Sequence, residues 1–482
     1  MSVRHFLPTT DTRRRQGYPC AVHRCPLTVR KTGRTYLLQW PWPISRSSGP
    51  ESTELRRPQP PTGSANYTRT RRCDMNSTSK PHNTSARSGP LHDVIVVDLT
   101  RALAGPHAAM MLGDLGADVI KVESPHGGDD TRGWGPPFVE PPLEPPNTQR
   151  ESTYFLSTNR NKKSITLDLK SDSGRATLED LVCRADVLME NFRTGVLDRL
   201  GFSTERLAEL NPRLIVLSIS GFGHDGPEGG RAGYDQIAQG EAGLMSLTGS
   251  SPDDVQRVGV PIADLLAGMY GAFGVVAALK EREQTGRGRV VRTSLLASVV
   301  GVHAFQGTKW TVAGEVGTAQ GNHHPSIAPY GLFRTGDGAV QISVGSESLW
   351  RRFCEGFDLD PDAPGMATNA ERVENHFQVV ELIERTFKPY SRDELLTELD
   401  RIGVPAGRVR TISEVYEWEQ TRSQGLLVDV DHSTLGNITL PGPPLRFFDP
   451  DGTEVTETRH TAPPVLGEDT DEIMSWLQGF TR

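Results

Sequence analysis

The sequence predicts an α/β chain built on a large, doubly wound parallel sheet, with a smaller α+β region late in the chain. Three observations carry this. From residue 93 onward, apolar runs of strand length alternate with helical segments. The runs, VIVVDLT at 94–100 first among them, are continuous rather than alternating, as strands covered on both faces require. Near residue 320 the pattern changes to a glycine-containing loop, a hairpin and short helices.

The elements come in order. After the strand 94–100 stands the helix AGPHAAMMLGDLG (104–116), then the strand ADVIKVE (117–123). The loop 124–150 is rich in Pro, Gly and acid and long for a compact fold, which marks it as functional or disordered. KSITLDLK (163–170) reads as a strand, 171–184 as a helix, ADVLMENF (185–192) as a strand, 203–210 as a helix and RLIVLSISGFG (213–223) as a strand. Right-handed crossovers make this a nucleotide-binding type of sheet, with ligands at the C-terminal ends of its strands.

A helical block spans 261–308. Pro261 suits a first helical position, IADLLAGMYGAFGVVAALKEREQ comes after it, and Thr285 with Gly286 closes it. This helix is too apolar on most faces for a surface and is expected to be buried. Asp264 falls in its first turn, where the helix dipole and free N–H groups hold a carboxylate ionised. Two readings stand for it: a poised nucleophile, or an acid that only satisfies helix-start amides. Residues 291–308 read as a further helix. Then come a hairpin turning at Thr335–Gly338, helices near 370–387 and 391–402, and a strand-like run at 403–412. Beyond 413 lie a helix, two strand-like runs and the proline-rich PGPPLRFFDP. The expected organisation is a tail over 1–90, a large domain from 91–320 with 411–482, and a small domain over 321–410. No internal repeats are evident.

Charge is unevenly spread. Residues 1–90 hold 16 Lys/Arg against 4 Asp/Glu, or +12, so a net charge of −8 leaves −20 for the remainder. An acidic globular part argues against nucleic acid as partner. The tail lacks hydrophobic periodicity and reads as disordered, and Met75 is an alternative start. Of five cysteines, three lie in the tail, and no CxxC pair occurs, which suits a reducing cytoplasm. There is no apolar run near 20 residues, so no membrane span is expected.

Common chemistries are excluded by their missing motifs. TRALAGP (100–106) stands after the first strand where a dinucleotide site would carry GxGxxG, and neither a P-loop nor a GxSxG elbow appears. His323 and His324 lack further ligands at workable spacing, so no metal is expected. Asn159–Lys163, Lys170 and Arg199 are read either as phosphate holders or as solvated charge. Asn191 and Phe192 end a strand, where an amide and an aromatic can receive a purine.

As a set, the motifs resemble those of the family III CoA-transferases. VVDLTRALAGPHAAMMLGDLGADVIKVE, DDTRGW at 129–134, NRNKKSITLDLK, ADVLMENF, GYDQIAQGEAGLMSLTG, VGVPIAD and GNHHPSIAPYGLF occur in the family's order across about residues 92–450. The resemblance implies a Rossmann-like large domain built from both chain ends, a smaller inserted domain, and two chains interlocked as a homodimer. It implies transfer of coenzyme A between carboxylic acids, with acyl-CoA as substrate and no permanently bound cofactor. Asp264 matches the family's catalytic aspartate, which passes through an aspartyl anhydride and an aspartyl-CoA thioester. The positions matching CoA contacts are Leu103, Ala104, Leu167, Asp168, Lys170, Asn191, Phe192, Arg199, Tyr234 and Asp235.

This chain departs from the family's pattern at several points. Arg101 and Leu103 stand where formyl-type members carry His and Gln, which speaks against formyl/oxalate exchange. Ser124 replaces a basic residue, and GNHHPSI (321–327) replaces a polyglycine loop expected to cover Asp264. The alternatives are an α-methylacyl-CoA racemase, whose His is Tyr234 here, and a non-catalytic acyl-CoA-binding protein.

Overall fold

The computed structural model describes residues 88–141 and 150–479. The tail expected over 1–90, with Met75, lies outside them except for Ser88–Pro90. Six parallel strands form the main sheet: β1 (Ile95–Asp98), β2 (Asp118–Glu123), β3 (Lys162–Thr166), β4 (Val187–Glu190), β5 (Ile215–Ser220) and β6 (Val290–Ser294). Their order is β3-β2-β1-β4-β5-β6, so the winding reverses between β1 and β4. A reversal of this kind opens a crevice beyond the C-terminal strand ends.

Both faces of the sheet are covered, so its central strands are buried at nearly every position, and the charged residues among them, such as Asp98 and Lys121, are paired inside. On one face Val96, Val119, Val187, Met189 and Leu217 pack against α1 (Ala104–Asp114), α4 (Asp235–Glu241) and α5 (Ile262–Thr285). On the other, Ile95, Val97, Ile120, Leu188 and Val216 meet α2 (Asp172–Val182) and α3 (Thr204–Leu210). Small residues let α1 and α5 approach closely: a Cβ on Gly268 would stand 2.7 Å from the Ala104 carbonyl oxygen.

The helix α5 corrects two expectations. It is buried along one face only, through Ala263, Ala267, Gly271, Val275 and Ala278, and presents Met269, Tyr270, Phe273 and Val276 outward. By length and composition it is also apolar enough to cross a membrane, although half of its most apolar window is packed inside this fold. Its Ala and Gly content makes it apolar all round without filling the layer above the sheet. The segment 291–308 differs too. It opens as the edge strand β6 and continues as α6 (Leu295–Gly301) and α7 (Ala304–Ala313), separated at Ala304, whose φ is 47°.

Next in the chain is a three-stranded antiparallel sheet of β7 (Tyr330–Arg334), β8 (Ala339–Ser343) and β9 (Ala406–Arg408), with the hairpin turn where the sequence predicts it. It shares an apolar cluster, Phe333 to Val404, with α8 (Glu347–Gly356), α9 (His376–Phe387) and α10 (Arg392–Arg401). A further hairpin, β10 (Leu427–His432) and β11 (Gly436–Pro441), packs on Leu156. The chain end returns to the main sheet: in α11 (Thr470–Gln478), Ile473, Trp476 and Leu477 join its second apolar layer. Asp469 and Thr470 take the free edge amides of Ser164 and Thr166 in β3, closing an edge that would otherwise be open to pairing.

Candidate active site

A cavity of about 550 Å³ lies at the C-terminal end of the sheet, in the crevice between β1 and β4. The loop after β1 supplies Arg101–Ala104, the loop after β4 supplies Asn191–Thr194, and the segment 230–236 supplies a further wall. Asp264 opens onto it from the first turn of α5.

A buried ionic cluster shapes the β1 loop. Lys121 Nζ donates to the Thr100 carbonyl (2.9 Å) and to Asp129 Oδ2 (2.8 Å). Asp129 Oδ1 accepts the amides of Ala102 (3.2 Å) and Thr131 (3.0 Å). Burial alone would raise Asp129, but Lys121 holds its carboxyl at about 2. These bonds keep Ala102 at φ 65°, a conformation an alanine adopts only under constraint. Leu103 and Ala104 are buried and line the cavity at the start of α1.

The surroundings of Asp264 correct the sequence expectation. The helix-start amides do not hold its carboxylate. Asp235 takes them: its Oδ1 accepts Ala263 N–H (2.8 Å) and Asp264 N–H (3.4 Å), while Oδ2 accepts Gln239 Nε2 (2.7 Å). No donor among the described residues reaches the Asp264 carboxylate. Burial, and then the neighbouring Asp235 charge, push it up to about 7. The acid is uncapped and sits in a cavity, which is the environment of a reactive rather than a structural carboxyl.

Of the positions singled out from sequence, Leu103, Ala104, Asn191, Phe192, Tyr234, Asp235 and Asp264 line this cavity. Two of them are committed elsewhere. Asn191 spends its amide on the backbone of Arg101, accepting the N–H at 2.9 Å and donating to the carbonyl at 2.7 Å, and Asp235 caps α5. Tyr234 is 66% exposed and precedes α4. Leu167, Asp168, Lys170 and Arg199 are not in the cavity wall. Leu167, like Phe192, packs against the sheet's second apolar layer, and Asp168 takes the Lys170 amide (3.0 Å). Lys170 and Arg199 are exposed and have no ion-pair partner among the described residues.

Asn159–Lys163 form no anion cradle: Lys163 pairs with Glu472, and the four residues before it are committed to the fold. All four are buried; Lys162 Nζ serves Asp98 (3.0 Å) and the Pro106 carbonyl (2.9 Å), and Arg160 pairs with Asp114. The loop 321–327 does not line the cavity within this chain. Its His324 is stacked between Phe305 and Tyr330.

Sequence reasoning missed Tyr154. It lines the cavity in a T-shaped contact with Trp134 (ring centroids 5.0 Å apart). Burial, then Asp264 and Asp235, push its phenol up to about 12, so it stays a proton donor. No spacing signal marks it, because it stands on a single helical turn, Thr153–Leu156, too short to show a period in the sequence. Arg231 and Arg257 also line the cavity.

The family model for CoA-transferase family III matches residues 91–470. The succinyl-CoA:glutarate CoA-transferase of Homo sapiens is 36% identical over 399 residues, 82% of this chain and 88% of that protein. The succinate–glutarate CoA-transferase of Agrobacterium fabrum is 38% identical over 399 residues, 82% of this chain and 98% of that one. Among solved structures, a CaiB/BaiF family protein from Brucella suis superposes with a TM-score of 0.70 at 38% identity, covering 81% of this chain and 99% of that chain. An uncapped acid at the crevice of a 3-2-1-4-5-6 sheet and these likenesses agree: the chain belongs to CoA-transferase family III and is an enzyme that transfers coenzyme A between carboxylic acids.

Proposed function

We propose that the enzyme moves CoA between dicarboxylic acids of four or five carbons, as the names of its succinyl- and glutarate-using relatives suggest. The observation that carries the chemistry is the Asp264 carboxylate, which lines the cavity with no donor spent on it among the described residues. Its oxygen attacks the thioester carbonyl of the donor acyl-CoA; the C–S bond breaks and CoA leaves as thiolate, giving a mixed aspartyl anhydride. The thiolate returns to the aspartyl carbonyl, forms aspartyl-CoA and releases the donor acid. The acceptor carboxylate then attacks, and the same two steps run in reverse. Each intermediate is an activated acyl group, so no ATP is consumed.

Tyr154, neutral and directed to the same cavity, donates to the oxyanion of each tetrahedral intermediate. Leu103, Ala104 and Phe192 seat the CoA body, and Lys170 and Arg199 offset its phosphates outside the cavity mouth. CoA and its thioesters are substrates, with no resident cofactor. The racemase alternative gains no support, since no histidine is among the cavity's lining residues.

The same reading includes a homodimer, as outward apolar side chains on α5 and α7 require cover: Phe273 is 74% exposed and Val312 83%. A second copy is also the proposed source of the cover that 321–327 does not give in this chain. The domain division at about 320 and 410 belongs to this reading as well.

The test is transfer from succinyl-CoA to glutarate by the wild type and by Asp264→Ala. The variant is expected to lose transfer while its Kd for CoA stays within about threefold, because it deletes the nucleophile and no binding contact. Activity above about a hundredth of wild type refutes the assignment.

A further inference from the structure

The ends of β4 and β5 carry a buried polar chain that the transfer chemistry does not use. Ser218 Oγ donates to Glu190 Oε1, and His224 Nε2 lies 2.6 Å from the same Ser218 oxygen. The single hydroxyl proton goes to the carboxyl group, so the imidazole donates its N–H to Ser218. Glu190 Oε2 accepts the amide of Phe192 at 2.9 Å. Ser218 and Glu190 are buried, and the charged groups facing His224 are Arg292 and Asp225.

His224 ties down the loop 221–233. Six of its thirteen residues are glycine, and Gly223, Gly226 and Gly230 hold φ values of 118°, 77° and 83°. A backbone of this kind loses much conformational freedom on ordering and needs anchors. The loop's far end, Gly230–Gly233, is one wall of the cavity, and Phe192 belongs to another. His224 therefore joins both walls through two buried side chains.

We propose that His224 is a positioning residue for acyl-CoA binding: through Ser218 and Glu190 it clamps the glycine-rich loop to the end of β4 and fixes the spacing of the two cavity walls. The inference rests on the cavity being the CoA-thioester site. Without the clamp, the loop visits many conformers, only a fraction of which bind, and the apparent affinity falls by that fraction. Chemistry at Asp264, once the substrate is seated, is not altered.

The experiment measures the Kd of CoA by calorimetry, and kcat and KM for transfer from succinyl-CoA to glutarate, on the full chain. The proteins are wild type, His224→Ala, His224→Gln and Ser218→Ala. His224→Ala is expected to raise Kd and KM about tenfold with kcat within about twofold. His224→Gln, whose amide N–H can still reach Ser218, recovers most of the loss, and Ser218→Ala reproduces it. A lower melting temperature with unchanged Kd and KM overturns the proposal, as does a fall in kcat alone. If His224→Ala does not fold, the other two variants decide by the same criteria. Wild-type protein that binds CoA yet transfers none defeats the functional reading alone, and the Kd comparison still decides the clamp.

Discussion

Replacing Asp264 by Asn separates the cost of holding this carboxylate from its use. Burial and the Asp235 charge move the group from 3.8 to about 7. At 1.36 kcal/mol per pH unit, that span sets an upper bound of about 4 kcal/mol of destabilisation once the acid is ionised. The cavity is open to water, so screening reduces the figure to about 1–2 kcal/mol. Because the folded pKa is raised, the folded state holds its proton more tightly than the unfolded chain. The group's stabilisation is therefore complete below 3.8 and is lost as pH rises towards 7. Asn mimics the protonated acid at every pH. Urea unfolding of wild type and Asp264→Asn at about pH 5 and about pH 8 reads the difference: the variant's advantage grows with pH to about 1–2 kcal/mol and then levels off. A variant less stable than wild type at the higher pH, or an advantage independent of pH, refutes the reasoning.

The same geometry sets three further outcomes. In wild type, kcat/KM for transfer rises with pH through about 7 as Asp264 ionises; Asp235→Asn keeps the acceptor for the α5 amides but removes the like charge, so its midpoint falls below wild type's yet stays above 3.8, and an unchanged midpoint contradicts this. Lys121→Met leaves Asp129 as an uncompensated buried charge and costs about 3–5 kcal/mol in urea unfolding, whereas a loss under about 1 kcal/mol shows that the cluster does not hold the β1 loop. Tyr154→Phe lowers kcat about tenfold or more with KM nearly unchanged, and an unaffected rate removes Tyr154 from oxyanion stabilisation.

The core of the fold is legible in the sequence because its physics is local. A strand covered on both faces is buried at every position and is built on a mostly apolar run, so VIVVDLT announces β1, and the turn at Thr335–Gly338 is written in its own residues. Elements at an edge are less legible. β6 places Arg292 and Val290 outward at the border of the sheet and runs straight into the apolar LLASVV of α6, so strand and helix together read as one helix. The outward face of α5 is apolar as well, and composition alone cannot say that one chain leaves it uncovered.

The site is legible in its positions and less so in its electrostatics. Asp264 stands out as a first-turn acid, but the helix-start amides are taken by Asp235, 29 residues earlier in the chain. Likewise, the amide of Asn191 at a strand end looks free for a ligand until the β1 loop, 90 residues away, is seen to occupy it. The buried Lys162 shows the converse: a basic motif ahead of a strand serves a structural ion pair with Asp98.

The most direct measurement is intact-protein and peptide mass spectrometry of the enzyme mixed with succinyl-CoA and quenched with hydroxylamine or borohydride. The account predicts a modified residue at position 264 alone, absent when the thioester is omitted. Turnover that proceeds with Asp264 never modified contradicts it, and leaves the carboxylate without the nucleophilic role on which the mechanism depends.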